Sequence, residues 1–262
     1  MLTILAIFIS ICATTVGAIS GLGGGIFIKP LLDLTAINVS TIGFLSNCTV
    51  FAMAVANIYK KRKTKLNFKL SIVLTLSIGS IIGGILGQMI FGMFEKNFTN
   101  TAIIKVVQNI FLCLIVIFTI VYLKYKKKMK TYDLKNMFSV AFAGLVLGAV
   151  SAFLGIGGGP LNIAVLAIFF SMKSKDAANA SLIVIFFSQL SSLATTFLDH
   201  SVPQFETTML IGMVIAGVTG AFIGGKLQEG MDDDFIDKLF AATLYFILTI
   251  TIFNIVRAVI AL

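Results

Sequence analysis

Apolar residues run along this chain in unbroken stretches rather than in alternation. Segment 70–93 (LSIVLTLSIGSIIGGILGQMIFGM) carries no charge, and comparable apolar runs cover 1–20, 42–59, 101–123, 178–198 and 236–258. Crossing roughly 30 Å of hydrocarbon takes about 20 apolar residues as a helix, so each run predicts a membrane helix. A membrane barrel would alternate apolar and polar residues in segments of about ten, and that period is missing. The opening MLTILAIFISICATTVGAIS lacks the basic flank of a secretory signal and is expected to be a retained membrane segment. The predicted fold class is an all-α polytopic membrane protein, with 1–262 as a single membrane domain.

The pattern repeats. GLGGG at 21–25 recurs as GIGGG at 155–159. Each cluster is followed by a short apolar stretch (26–37; 160–172) and then a helix with small polar residues (42–59; 178–198). Next comes a glycine-spaced helix, marked by Gly79, Gly83 and Gly87 in one half and by Gly217, Gly220, Gly224 and Gly225 in the other. Small residues at that spacing let helix backbones approach closely in lipid. The repeats run approximately 1–123 and 137–262, joined by a basic loop, 124–136, placed on the cytoplasmic side. Stretch 26–37 has 12 residues, roughly 18 Å as helix, too short to cross alone. Successive glycines are poor helix formers, and unwound backbone survives at membrane depth only where protein covers it or it lines a cavity. Each half therefore holds a glycine-broken or re-entrant helix.

Composition narrows the function classes. Hydrophobic residues make up 58% of the 262 and charged residues 12%, which leaves little to place against water. The net charge of +9 is concentrated in Lys60, Lys61, Arg62, Lys63 and Lys65 and in Lys124, Lys126, Lys127, Lys128 and Lys130. Such clusters beside membrane helices hold loops in the cytoplasm, so nucleic acid is not an expected partner. The same rule compares inverted with parallel halves. Setting Lys29 aside, inversion puts 16 Lys and Arg inside and 3 outside, against 13 and 6 for a parallel pair. Inversion is favoured. Cys12, Cys48 and Cys113 fall in apolar runs and are expected to be buried small hydrophobes rather than a disulfide framework.

Interrupted helices that meet near the midplane form the solute site of many secondary transporters. Glycines expose amide N–H groups, and a helix starting just after the break directs its partial positive charge at the gap. A small anion suits such a place. The candidate binding residues are Gly21, Gly23, Gly24 and Gly25 with Gly155, Gly157, Gly158 and Gly159. The competing reading is that the glycines only permit close packing. Lys29 lies four residues past the first cluster, and an intramembrane charge is expensive without a partner. It is read either as paired with Asp33 one turn on or as a counter-ion for the anion. Ser46, Asn47, Asn162, Asn179 and Ser181, near helix beginnings, are further candidates, whereas Ser188 and Gln189 are read as bridging helices. His200 sits in a loop with Asp199 and Glu206, a grouping that is usually solvated. Neither HExxH nor CxxC occurs, and GxxxxGK[ST] is absent. No metal site, cofactor, catalytic group or ATP-driven engine is expected.

With both glycine clusters in place, the chain resembles the TauE/SafE sulfite exporter family (TSUP) over nearly its whole length. The first copy, GLGGGIFIKPLL, carries the family's GxGGG and following proline in Gly21, Gly23, Gly24, Gly25 and Pro30. The second, GIGGGPLNIAVL, keeps the glycines but has Ala164 near the expected proline and Pro160 directly after the cluster. The resemblance implies a multi-pass protein of the prokaryotic cytoplasmic membrane that moves sulfite, thiosulfate, sulfoacetate or related sulfonates. The expected function is secondary transport, as an exporter, by alternating access around the two breaks. The expected partners are the anion and the lipid bilayer, with homo-oligomers allowed. A non-transporting scaffold and an intramembrane redox protein using Cys48 or His200 are the rival readings.

Overall fold

The computed structural model describes residues 1–62, 68–97, 101–126, 128, 130–134 and 136–260. Lys63, Lys65, Lys127 and Lys135 of the basic clusters, with the last two residues of the second repeat, lie outside them. The described residues form ten α-helices and no strand: α1 (Leu2–Ser20), α2 (Gly25–Leu32), α3 (Val39–Lys61), α4 (Leu70–Asn97), α5 (Thr101–Tyr125), α6 (Met137–Leu154), α7 (Pro160–Phe170), α8 (Ser174–Leu198), α9 (Thr207–Glu229) and α10 (Asp233–Ile260). Eight are long and apolar enough to cross a membrane; the short ones, α2 and α7, are those that follow the glycine clusters.

Those clusters end one helix and begin another. α1 and α6 stop at Gly21 and Gly155, both left-handed with φ of 73° and 63°, the conformation a residue without Cβ adopts most cheaply at a helix end. α7 then starts at Pro160, which suits a first turn because no amide partner is needed there. Each short helix runs back to the side its predecessor came from. Tyr132 and Leu134, in the linker before α6, donate to the carbonyls of Ile168 and Phe169 at the end of α7 (2.7 and 3.0 Å). In the first half, Thr41 at the start of α3 donates to Gln204 O (2.9 Å), and the same 199–206 loop meets the start of α1 through Thr3 and Glu206 (3.0 Å). Both glycine clusters are therefore bends of re-entrant hairpins.

The halves exchange partners. Gly79, Gly83 and Gly87 of α4 face Ala141, Leu145 and Ala149 of α6, and a Cβ at Gly83 would lie 1.9 Å from Leu145 O. Gly220 and Gly224 of α9 meet Ile11, Thr14, Thr15 and Ala18 of α1, with Thr14 donating to Ala216 O at 3.2 Å. The glycine-spaced helices thus allow the backbone approach their spacing predicts, each against the first helix of the other half. Within these two pairs the helices run parallel. By contrast, α3 crosses α8 antiparallel, with Asn47 on Ser192 (3.3 Å) and Lys61 on Asn179. α5 is likewise antiparallel to α10: Lys126 pairs with Asp237 at 2.8 Å, while Lys105 and Arg257 meet around the loop after α2.

The bundle accordingly has one strongly basic end, carrying Lys60, Lys61, Lys126 and Lys175 with Glu229 and Asp237. Ile78, Ile82, Leu114, Phe118, Ile215, Phe246 and Phe253 are exposed along the flanks, the surface that lipid covers. Cys12 also faces outward, and Cys48 and Cys113 are half-buried, which corrects the expectation that all three are buried. In a membrane the exterior is as apolar as the core, so an apolar run does not fix which residues point inward.

Candidate functional site

The two bends touch each other. A Cβ at Gly25 would lie 2.3 Å from Ile156 O, one at Gly23 3.3 Å from Gly157 O, and one at Gly159 3.7 Å from Leu22 O. The Gly25 approach to Ile156 O leaves no room for a side chain, so backbone presses on backbone there. The junction is level with Val50, midway along α3, and Ile185, midway along α8, both of which pack on it. Gly23, Gly157, Gly158 and Gly159 all have positive φ, between 74° and 110°. α2 and α7 are entered through Gly24 and Gly159, neither of which provides a side-chain cap. The first amides of both helices have no intrahelical acceptor and add partial positive charge at the junction.

Polar side chains surround this junction without partners. Ser46 Oγ would be 2.9 Å from a Cβ at Gly25, Gln189 Nε2 3.5 Å from one at Gly157, and Asn162 Nδ2 2.6 Å from one at Gly158. Ser46 Oγ, Asn47 Oδ1, Asn162 Oδ1, Ser188 Oγ and both polar atoms of Gln189 are buried with no hydrogen-bond partner among the described residues. Buried polar atoms are nearly always paired in native proteins, and each exception calls for a reason. Ser46, Asn162 and Gln189 of this set sit at the two facing helix starts, where they offer hydrogen-bonding groups that a small polar solute can use.

A cavity of about 640 Å³ leads to this region from the end opposite the basic one. Asp199, His200 and Ser201 stand in its lining, so the histidine loop belongs to an entrance as well as to solvent. Deeper in lie Asn47, Gly155 and Lys29. Lys29 is 3% exposed, and its ammonium donates to Gln108 Oε1 at 2.7 Å, leaving Asp33 to Asn109 Nδ2 (3.3 Å). Gln108 is oriented in turn, because its Nε2 donates to Phe153 O at 2.7 Å. Asn47 Nδ2 is shared with Ser192 Oγ, which donates to Gln88 Oε1 at 3.1 Å.

The structure brings Gly23, Gly24, Gly25, Gly157, Gly158, Gly159, Ser46 and Asn162 together at the junction, and places Lys29, Asn47 and Gly155 on the cavity beside it. Gly21 packs on Ala178, and Ser181 donates to Gly21 O at 2.7 Å, holding the bend rather than facing the cavity. Asn179 is not at the junction. It lies at the basic end and accepts from Lys61, because α8 begins at that end, and it is Ile185, about three turns on, that packs on Gly23 and Gly158 at the junction. Gln189, read from the sequence as a helix bridge, lies beside Gly157 at the junction, and Gln108, which the sequence reading does not single out, holds Lys29 at the cavity. Both are fully buried amides in membrane helices, and that costly placement was the available signal.

An all-helical bundle with eight spans, two re-entrant hairpins meeting at mid-depth and a polar cavity leading to them has the build of a membrane transporter. The chain belongs to the TauE/SafE sulfite exporter family, whose model, "Sulfite exporter TauE/SafE", matches residues 6–251. It is similar to the "Probable membrane transporter protein YunE" of Bacillus subtilis (strain 168), with 25% identity over 257 residues covering 86% of this chain and 89% of that protein. No solved structure matches the chain significantly.

Proposed function

We propose that this protein is a secondary transporter that exports a small anion, a sulfur oxyanion such as sulfite or an organosulfonate, by alternating access around the two glycine bends. The observation that carries the proposal is the contact between the bends, ringed by the unpaired buried polar atoms of Ser46, Asn162 and Gln189. Exposed amides, two helix starts and the Lys29 ammonium supply positive potential, and a compact oxyanion supplies acceptors for all of them. The family to which the chain belongs supports the sulfur chemistry.

The halves act as inverted repeats in this reading. Equivalent helices, α3 with α8 and α5 with α10, run antiparallel, which a two-fold axis in the membrane plane produces. Phe51 of α3 and Phe186 of α8 stack with ring centroids 5.4 Å apart, as residues astride such an axis would. The basic end is cytoplasmic by the positive-inside rule, so the cavity that reaches Lys29 opens outward. For an anion leaving a negative-inside cell, the membrane potential contributes about 2.3 kcal/mol per charge per 100 mV, enough to drive export without a coupling ion.

Flux of labelled sulfite, sulfate, thiosulfate, sulfoacetate and a simple carboxylate in proteoliposomes tests the proposal. Saturable flux of at least one sulfur anion, competed by the others, is expected. Leakage no faster than in protein-free liposomes for every solute would overturn it.

A further inference from the structure

The outer cavity has an unequal counterpart at the basic end. Gly43 of α3 faces Gly155, which ends α6, and Ala178 of α8 faces Gly21, which ends α1. A Cβ at Gly155 would meet Gly43 Cα at 3.4 Å, an ordinary contact, whereas one at Gly21 would meet Ala178 Cα at 2.3 Å. The same junction is loose where the outer cavity enters and shut at the basic end.

Behind the shut junction lies a cavity of about 200 Å³, lined by Asn57, Lys61, Arg62, Asn179 and Leu182 among others. Asn179, Leu182 and Lys61 lie on α8 and α3, the same two helices whose other ends line the outer cavity through Thr196 and through Phe44 and Asn47. Lys61 fastens the helices around it. Its ammonium, on α3, donates to Asn179 Oδ1 on α8 and to Gln228 Oε1 on α9. Gln228 Nε2 donates onward to Ile19 O near the end of α1 at 2.6 Å. Asn57 Oδ1, one turn before Lys61, is buried and has no partner among the described residues.

We infer that this small cavity is the closed cytoplasmic half of the transport path, and that Lys61 both latches it and becomes the counter-charge of a small anion when it opens. The inference rests on the transport reading given above. Separating α3 from α8 and α9 at this end requires breaking both Lys61 contacts, and an anion is the acceptor best able to replace two neutral amide oxygens, because charge-assisted hydrogen bonds are roughly twice as strong. Each cavity is lined by two cations, Lys29 with the exposed Lys96 in the outer and Lys61 with the exposed Arg62 in the inner, and Lys29 and Lys61 are the more buried of each pair.

The latch is tested by labelling in membrane vesicles of known sidedness, with Cys12, Cys48 and Cys113 replaced by alanine. Single reporters are placed on the outer cavity wall (Gly92→Cys) and in the inner cavity (Ile183→Cys), and a membrane-impermeant maleimide is applied from each side. Lys61→Gln, and separately the pair Asn179→Ala with Gln228→Leu that keeps the lysine, are expected to slow outer labelling and speed inner labelling at least threefold. Lys61→Gln is further expected to raise the sulfite KM from the cytoplasmic side while leaving the outer-side KM unchanged. Labelling unaltered at both reporters in both backgrounds would overturn the latch, and an equal KM rise on both sides would overturn the inner counter-charge. Labelling requires no solute, so lack of flux in the parent protein would count against the transport reading and leave the latch to be decided by the reporters.

Discussion

The Lys29 ammonium sits 2.7 Å from Gln108 Oε1, and the next residue along α5, Asn109, holds Asp33 one turn further along α2. Two neighbouring amides of one helix thus receive the two charges of another and keep them from closing on each other. The lysine stem is long enough to carry its charge to the cavity, while Asp33 turns to a separate pocket with Lys105 and Arg257. Lys29 and Asp33, paired in one of the two readings the sequence allows, make no direct contact, though their charges are near enough to attract.

Removing the Lys29 charge is therefore expected to act on the solute. Lys29→Met is expected to weaken anion binding by about tenfold or more, since a hydrogen bond to a charged group contributes about 1.5–3 kcal/mol. Asp33→Asn, which changes a group outside that cavity, is expected not to weaken it. The concentration dependence of the anion-induced thermal shift checks both.

Gln189 provides a test in which stability and function move apart. Its buried amide has no partner for either polar atom among the described residues, and such a group costs about 1–3 kcal/mol. Gln189→Leu is expected to raise the melting temperature of the detergent-solubilised protein and to lower its sulfite flux severalfold. A melting temperature that falls would show that Gln189 is a structural bridge.

The contact between the bends separates two glycines on neighbouring segments. Gly25→Ala drives a methyl onto the Ile156 carbonyl, while nothing lies within 4 Å of a Cβ at Gly43. Gly25→Ala is expected to destabilise the protein by about 1–3 kcal/mol, the usual cost of overpacking, and to abolish flux. Gly43→Ala is expected to leave stability unchanged. Thermal melts followed by size-exclusion fluorescence compare them directly.

Orientation is checked at the helix ends. Cysteines replacing Thr3 and Val259, introduced in the cysteine-free background, are expected to react with an impermeant reagent from outside intact cells. One replacing Lys128, beside the Lys126–Asp237 pair, should react only after permeabilisation. Reaction of the Val259 position only after permeabilisation would reverse the second half and sink the inverted arrangement.

Much of the architecture was legible because the bilayer imposes it. A helix must be long and apolar to cross, so 70–93 announces α4, and stretch 26–37 announces, by being short, that its helix turns back. The duplicated GxGGG marked both bends, since a chain reversing at mid-depth needs residues that accept positive φ and close backbone contact, as at Gly157 and Gly159. The candidate site was legible only in part. Its place at a helix beginning groups Asn179 with the glycines in the sequence, but that helix begins at the basic end. A mid-helix position makes Gln189 read as a bridge, yet mid-helix is where α8 passes the bends.

Linear order thus determined which segments enter the membrane, where the chain doubles back and which positions are small enough for close approach, because each of these depends on local hydropathy and local backbone freedom. Depth, facing and partnership were decided by folding. That α4 packs on α6 rather than on its counterpart α9, that Lys29 turns to Gln108, and that Lys61 ties three helices together depend on residues many positions apart meeting in space, and in lipid no inside-out pattern of polarity records such meetings in advance.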